Sequence, residues 1–255
     1  MSDVLDRPNQ RVADATAPLR PPLVPPLVNG DYLTRDEFHR RYEAMGRGVR
    51  AELIEGVVVV HQTSGMASSV SLDKHSEPHS LLHGWAFVYF ARTPGLRLGI
   101  DGTIFADLDN EAQPDVLLGI PESLGGQTRV LTRGGKQYLS GVPELVGEVA
   151  ASTSSTDLNA KLKAYQRNGV REYIVLLTEV QPPTVRWLVS DGGRLSGMTP
   201  DPADGLLKSR AFPGLWLDAD ALLRADVGRL VAAVDRGCAT PEFAAFAEEL
   251  KRRAG

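Results

Sequence analysis

The chain has 255 residues, of which 42% are hydrophobic and 24% charged, with a net charge of −4 at neutral pH. That supplies enough apolar side chains for a large core and excludes a chain disordered throughout. The acidic balance excludes attraction to nucleic acid through bulk charge, so any such contact has to come from a local basic surface.

A single cysteine, Cys238, excludes an intramolecular disulfide and a cysteine-built zinc cage and fits a reducing compartment. "MSDVLDRPNQ" lacks a leader-like apolar core, and no run approaches the roughly 20 apolar residues that span a bilayer. The expectation is a cytoplasmic protein with no membrane partner.

Residues 1–30 are expected to form an arm: "TAPLRPPLVPPLVNG" holds five prolines, which fix φ and remove backbone donors, so it predicts an extended strap. The body is read as 31–223 and a C-terminal helical extension as 224–255. Thr34 with Glu37 three residues on predicts a helix start, with Phe38 and Tyr42 on one face. Arg40, Arg41, Arg47 and Arg50 give this end a positive bias of the kind that usually marks a solvated face.

"RAELIEGVVVVHQ" (50–62) predicts two short strands around a Glu55-Gly56 turn. A helix from about Pro78 to about Arg92 follows, with Leu82, Trp85, Val88 and Tyr89 at helical spacing and "TPG" as its stop. Strands are expected over 97–107 and 114–120, a glycine-rich loop over 123–136, a strand over 144–151, a helix over 157–168 closed by Asn168-Gly169, and a strand over 171–178. A hairpin turning at Asp191-Gly192-Gly193 and a helical tail from Leu217 complete the pattern. The class is α/β (α+β): a central mixed sheet flanked by helices, with further helices at the C-terminus.

Two carboxylates interrupt otherwise apolar strands. Asp115 begins "DVLLGI", and in "PELVGEVAAS" Glu148 shares a strand face with Val146 and Ala150. Ionised carboxylates in such surroundings need a cation, a proton or a hydrogen-bond network. Two from adjacent strands suit one divalent ion, and oxygen donors select Mg²⁺ or Mn²⁺; the alternatives are a turn aspartate and an exposed-edge glutamate. In "STDLNAKLKAYQRNG" Leu158, Leu162 and Tyr165 define a buried stripe, Lys163 points to solvent, and Lys161 falls at the core margin, within reach of the space Ala150 leaves beside Glu148.

"AELIEGVVVV", "QPD", "GEVAAS" and "DLNAKLKAYQRNGVREYIVL", in that order, resemble the Uma-two family of restriction endonucleases, a branch of the PD-(D/E)XK nuclease superfamily, over roughly Leu33 to Leu223. The resemblance implies a restriction-endonuclease-like fold and Mg²⁺-dependent (or Mn²⁺-dependent) hydrolysis of DNA phosphodiester bonds. Asp115 matches the aspartate of the PD motif and Glu148 the second acidic residue. Ala150 stands where the standard pattern has lysine, and Lys161 matches members whose lysine has moved to the following helix. The ion would be held by Asp115, Glu148 and the Val149 carbonyl. Lys161 would orient water or offset charge on phosphorus, and Glu52 would complete the ion's surroundings or hold a second one. Many members of the superfamily work as dimers, so a homodimer is carried as an expectation.

His75 and Gln113 are candidates for contacts behind the ligands or with substrate, and Arg129, Arg133 and Lys136 for phosphate contacts. His75, His79 and His83 recur every four residues, but Pro78 is expected to interrupt a helix carrying all three. The competing function is a catalytically inactive nuclease-fold module for nucleic-acid binding or assembly, with which the acidic charge and the missing strand lysine are consistent.

Overall fold

A computed structural model describes residues 23–46, 48–62, 71–150 and 156–255. The expectations for residues 1–22 of the arm and for Arg47 lie outside the described residues. Residues 23–30 run along the hairpin that follows: Gly30 N–H donates to Val58 O at 2.8 Å, Asn29 Oδ1 accepts from Val60 N–H at 3.0 Å, and Leu27 is buried.

Thr34 caps α1 (Arg35–Ala44), its hydroxyl accepting from the Glu37 amide at 3.4 Å, while the Glu37 carboxylate takes Arg40 and Arg41. β1 (Arg50–Ile54) and β2 (Val57–Gln62) pair antiparallel around Glu55 and Gly56, both at positive φ, as a tight hairpin requires. Arg50 faces Gln62 but Ala51 faces Val60, so His61 is the extra residue of a β-bulge.

A π-helical turn, Leu72–Ser76, runs straight into α2 (Glu77–Phe90). Pro78 sits in the first α-helical turn, where its missing N–H costs little, and the expected interruption does not occur. The single strand expected over 97–107 is two, β3 (Arg97–Gly99) and β4 (Ile104–Phe105), in different sheets; between them Asp101 adopts a left-handed φ of 50°. β5 (Glu111–Ala112) and β6 (Val116–Gly119) follow.

The stretch read as a glycine-rich loop holds β7 (Arg129–Arg133) and the start of β8 (Lys136–Ser140), an antiparallel hairpin. Gly134 and Gly135, both at positive φ, make its turn. β9 (Leu145–Ala150) leads to a second π-helical turn, Thr156–Lys161, and then α3 (Leu162–Arg167). β10 (Glu172–Leu177), β11 (Thr184–Asp191), β12 (Arg194–Gly197), β13 (Leu207–Lys208), β14 (Trp216–Leu217), α4 (Ala219–Leu223), α5 (Val227–Cys238) and α6 (Pro241–Ala254) complete the chain.

The fold is α+β, with mixed sheets flanked by helices. Twelve of the described strands are shared between two six-stranded sheets, ordered β2-β1-β5-β4-β8-β7 and β12-β11-β10-β9-β6-β3, and β13 pairs with β14 in a separate two-stranded one. In the second sheet β9 lies between parallel β10 and antiparallel β6. One face, with Val116, Leu145, Val149, Ile174 and Leu176, packs on Leu82 and Trp85 of α2 and on Leu222, Val234 and Leu250 of the C-terminal helices. The other face, with Leu117, Val146, Ala150 and Val175, meets Tyr165 of α3 and Ile54 and Ile104 of the first sheet.

Burial on both faces explains why β9 reads as a continuous apolar run. Gly147 has a separate cause: a Cβ there would stand 3.1 Å from Leu82 Cδ2, so the glycine lets α2 approach the sheet closely.

Candidate active site

Alternation along β9 turns Glu148 toward the face covered by α3 and the first sheet, with Val146 and Ala150. Leu117 lies on the same face, so Asp115, two residues earlier, is directed there too. Val116 pairs with Gly147, and continuing that antiparallel register by one residue sets Asp115 opposite Glu148. Glu52, Asp115, Glu148 and Lys161 are all buried.

Lys161 joins two of these carboxylates. Its Nζ lies 3.0 Å from Glu148 Oε1 and 3.0 Å from Glu52 Oε2. The expectation of a lysine at the core margin is corrected: Lys161 is 3% exposed. It closes the π-helical turn, to which a wheel drawn at about 100° per residue does not apply. An ammonium and two carboxylates withdrawn from water together are tolerable only because the cation offsets part of their charge and hydrogen-bonds both.

Further groups bond to the same two carboxylates. His61 Nε2 is 2.6 Å from Glu52 Oε2, the Gln113 amide donates to Glu52 Oε1 at 2.6 Å, and the Tyr165 hydroxyl donates to Glu148 Oε1 at 3.1 Å. Burial would raise the Glu52 carboxyl, but Lys161 and His61 outweigh it and hold the group well below the ordinary carboxylate range. Burial and then the neighbouring Glu148 and Glu52 charges push the Tyr165 hydroxyl far up, so it stays a donor.

Asp115 is held from another side. Its Oδ2 accepts from the Val149 amide at 2.7 Å, and its Oδ1 faces Arg50 Nη2 at 3.3 Å. The same guanidinium nitrogen is 2.9 Å from Asp101 Oδ1 and donates to Gln113 O at 3.3 Å. Burial would lower the Arg50 pKa, but Asp101 and Asp115 more than compensate and raise it.

His79 Nε2 donates to the Asp115 carbonyl at 3.0 Å. A ring nitrogen of His79 and carboxylate oxygens of Asp101 and Asp115 lie within 4.8 Å of one another, a group able to hold a metal ion. The Val149 backbone also faces β6, since Glu144 and Ala150 of the alternate set bond toward β10. Asp115, Glu148 and the Val149 carbonyl are therefore hard oxygen donors at one end of β6 and β9, a donor chemistry that fits Mg²⁺ or Mn²⁺.

The other expected residues have these surroundings. His75 stacks on His79 with ring centroids 5.7 Å apart, and the Gln113 side chain donates to Tyr42 and Thr103. Arg133 pairs with Asp36 and Lys136 with Glu43, both on α1, and Arg129 is exposed on β7. Sequence reading missed His61, Arg50 and Asp101 as parts of the site, and knew His79 only as a member of a histidine series. A bulge and a left-handed turn bring His61 and Asp101 in, and neither has a local signature beyond the glycine after Asp101.

Residues 35–220 match the model of the Uma2 family, described as "Putative restriction endonuclease", and the chain belongs to that family. Among solved structures it is similar to a protein from Anabaena variabilis described as "a putative nuclease belonging to DUF820". The two are 14% identical, with a TM-score of 0.48, over 79% of this chain and 99% of that one. No curated protein matches the sequence. Among the described residues no helix is long and apolar enough to cross a membrane.

Proposed function

We propose that the chain is a metal-dependent nuclease that hydrolyses DNA phosphodiester bonds. The observation that carries this reading is the Lys161 ammonium, 3.0 Å from both Glu148 and Glu52, with Glu148 immediately preceding the Val149 whose amide donates to Asp115. Asp115, Glu148 and the Val149 carbonyl would hold Mg²⁺ or Mn²⁺. When bound, such an ion lowers the pKa of a coordinated water and polarises a phosphoryl oxygen.

Lys161 carries a proton at Nζ and presents positive charge where negative charge grows on the phosphoryl oxygens. Glu52 positions Lys161 and is itself fixed by the Gln113 amide and His61. Tyr165 holds Glu148 in one orientation by donating to Oε1. DNA as substrate, the cytoplasm as compartment and a homodimer as the working form belong to this reading, as does a phosphate-contacting role for Arg129, Arg133 and Lys136.

A second reading, a nuclease-fold module that binds without cutting, draws on Arg50. Its guanidinium pairs with both Asp115 and Asp101, and the Val149 amide takes the other Asp115 oxygen, so these carboxylates already have partners within the chain. Nicking of supercoiled plasmid with Mg²⁺ or Mn²⁺ separates the two. Cleavage by the wild type and none by Asp115→Ala is expected; equal cleavage by both proteins, or none by either, overturns the nuclease reading.

A further inference from the structure

Three metal-binding side chains reach one point from three separate elements: His79 from α2, Asp101 from the turn between β3 and β4, and Asp115 ahead of β6. Their donor atoms lie within 4.8 Å of one another. Between the two carboxylates sits a cation that the chain itself supplies, Arg50 Nη2, 2.9 Å from Asp101 and 3.3 Å from Asp115. Glu148 is turned to Lys161 and Tyr165 instead. Asp115 is thus the one residue shared by two constellations.

We propose that His79, Asp101 and Asp115 form a second divalent-cation site, which takes a first-row transition ion such as Mn²⁺ in preference to Mg²⁺, and that Arg50 is the resident cation it displaces. This extends the nuclease reading, with which it shares Asp115, but the binding itself does not depend on cleavage.

The preference follows from the donors. An imidazole nitrogen suits borderline transition ions, whereas Mg²⁺ demands oxygen and dehydrates reluctantly. The exchange follows from charge and access. A divalent ion neutralises both carboxylates where one guanidinium offsets a single charge, and the Arg50 side chain is 33% exposed, so it can leave without passing through the core. Asp101, at 47% exposure, is free to turn inward and bring the donors to bonding distances of about 2.0–2.2 Å. The hydrogen bond from His79 Nε2 to the Asp115 carbonyl keeps the ring at the site before any ion arrives.

The test is pulsed electron paramagnetic resonance on metal-stripped protein loaded with Mn²⁺, which reads a coordinated nitrogen directly. Nitrogen modulation is expected in the wild type, in Glu148→Gln and in His83→Ala, and its loss is expected in His79→Ala. Asp101→Asn, on an exposed turn, should weaken the nitrogen-coupled ion, which keeps the proposal open to refutation even where His79→Ala does not fold. Arg50→Gln should bind Mn²⁺ roughly tenfold more tightly, because a partly buried competing ion pair is gone.

Absence of nitrogen modulation in the wild type, its persistence in His79→Ala, or no tightening in Arg50→Gln overturns the second site. Mn²⁺ bound without nitrogen and lost in Glu148→Gln overturns the second site while leaving the nuclease reading standing. A nitrogen-coupled ion in a protein that does not nick DNA does the reverse.

Discussion

His61 Nε2 and Lys161 Nζ converge on the same oxygen of Glu52, Oε2, at 2.6 and 3.0 Å. One buried carboxylate therefore ties a bulge on β2 to the turn that opens α3, and Lys161 carries the connection on to Glu148 in β9.

Removing the ammonium leaves Glu52 and Glu148 buried without their shared cation. Lys161→Met should destabilise the fold by about 3–5 kcal/mol and abolish plasmid nicking, whereas the double variant Lys161→Met/Glu52→Gln should recover part of the stability and none of the activity. Urea unfolding and a nicking assay read the two effects. A single variant as stable as wild type would show that Lys161 is not what neutralises these carboxylates.

The pH dependence of stability has a definite sign at Glu52. Its carboxyl lies below its ordinary value of 4.5, at about 2, so between those limits the unfolded chain binds more protons than the native one. The contribution of Glu52 is present in full above the unfolded value and is lost as pH falls through the folded one. Glu52→Gln should therefore be less stable than wild type at neutral pH, with the gap closing below about 4.5. Unfolding curves for both proteins between pH 7 and pH 2.5 check it, and a gap that stays constant counts against it.

Tyr165 donates to Glu148 from a site where its hydroxyl does not ionise in any ordinary assay. Tyr165→Phe should cost about 1 kcal/mol of stability and lower kcat roughly five- to tenfold with KM unchanged, the pattern of a lost positioning contact. A change confined to KM would place Tyr165 in substrate binding instead.

On the β7–β8 hairpin, three to four strands from Glu52 and so about 14–19 Å away, the basic residues differ in how far they are committed. Arg133 and Lys136 are paired with Asp36 and Glu43, while Arg129 is exposed. Arg129→Ala should lower the slope of log affinity for duplex DNA against log salt by about 0.9, and Arg133→Ala or Lys136→Ala by visibly less. Equal slopes for all three variants would remove the distinction.

Much of this architecture is legible in residue order, and the failures have physical causes. Glu148 stood out because nothing else in "ELVGEVAAS" is charged after Glu144, and Lys161 because the Leu158–Leu162–Tyr165 stripe placed it near that strand. The 129–140 hairpin is hidden in the sequence because its strands are largely exposed and lack clear apolar alternation, and "RGGK" suits a loop as well as a two-glycine hairpin turn.

The split of 97–107 into β3 and β4 depends on a left-handed Asp101, a residue that local propensity does not demand there. The pairing of Glu52 with His61 depends on a bulge, which shifts β2 by one residue and which only the partner strand reveals.

Lys161 reaches Glu148 from a helical turn, not from the strand that carries the carboxylate. The carboxylates of Glu52 and Glu148 are therefore set by strands of the two large sheets, and the cation between them comes from a separate helical segment. Whatever chemistry these groups perform therefore requires that turn to be docked against β9. A chain with its strands paired but α3 undocked would leave Glu52 and Glu148 without the cation they share, so the constellation depends on tertiary docking as well as on strand pairing.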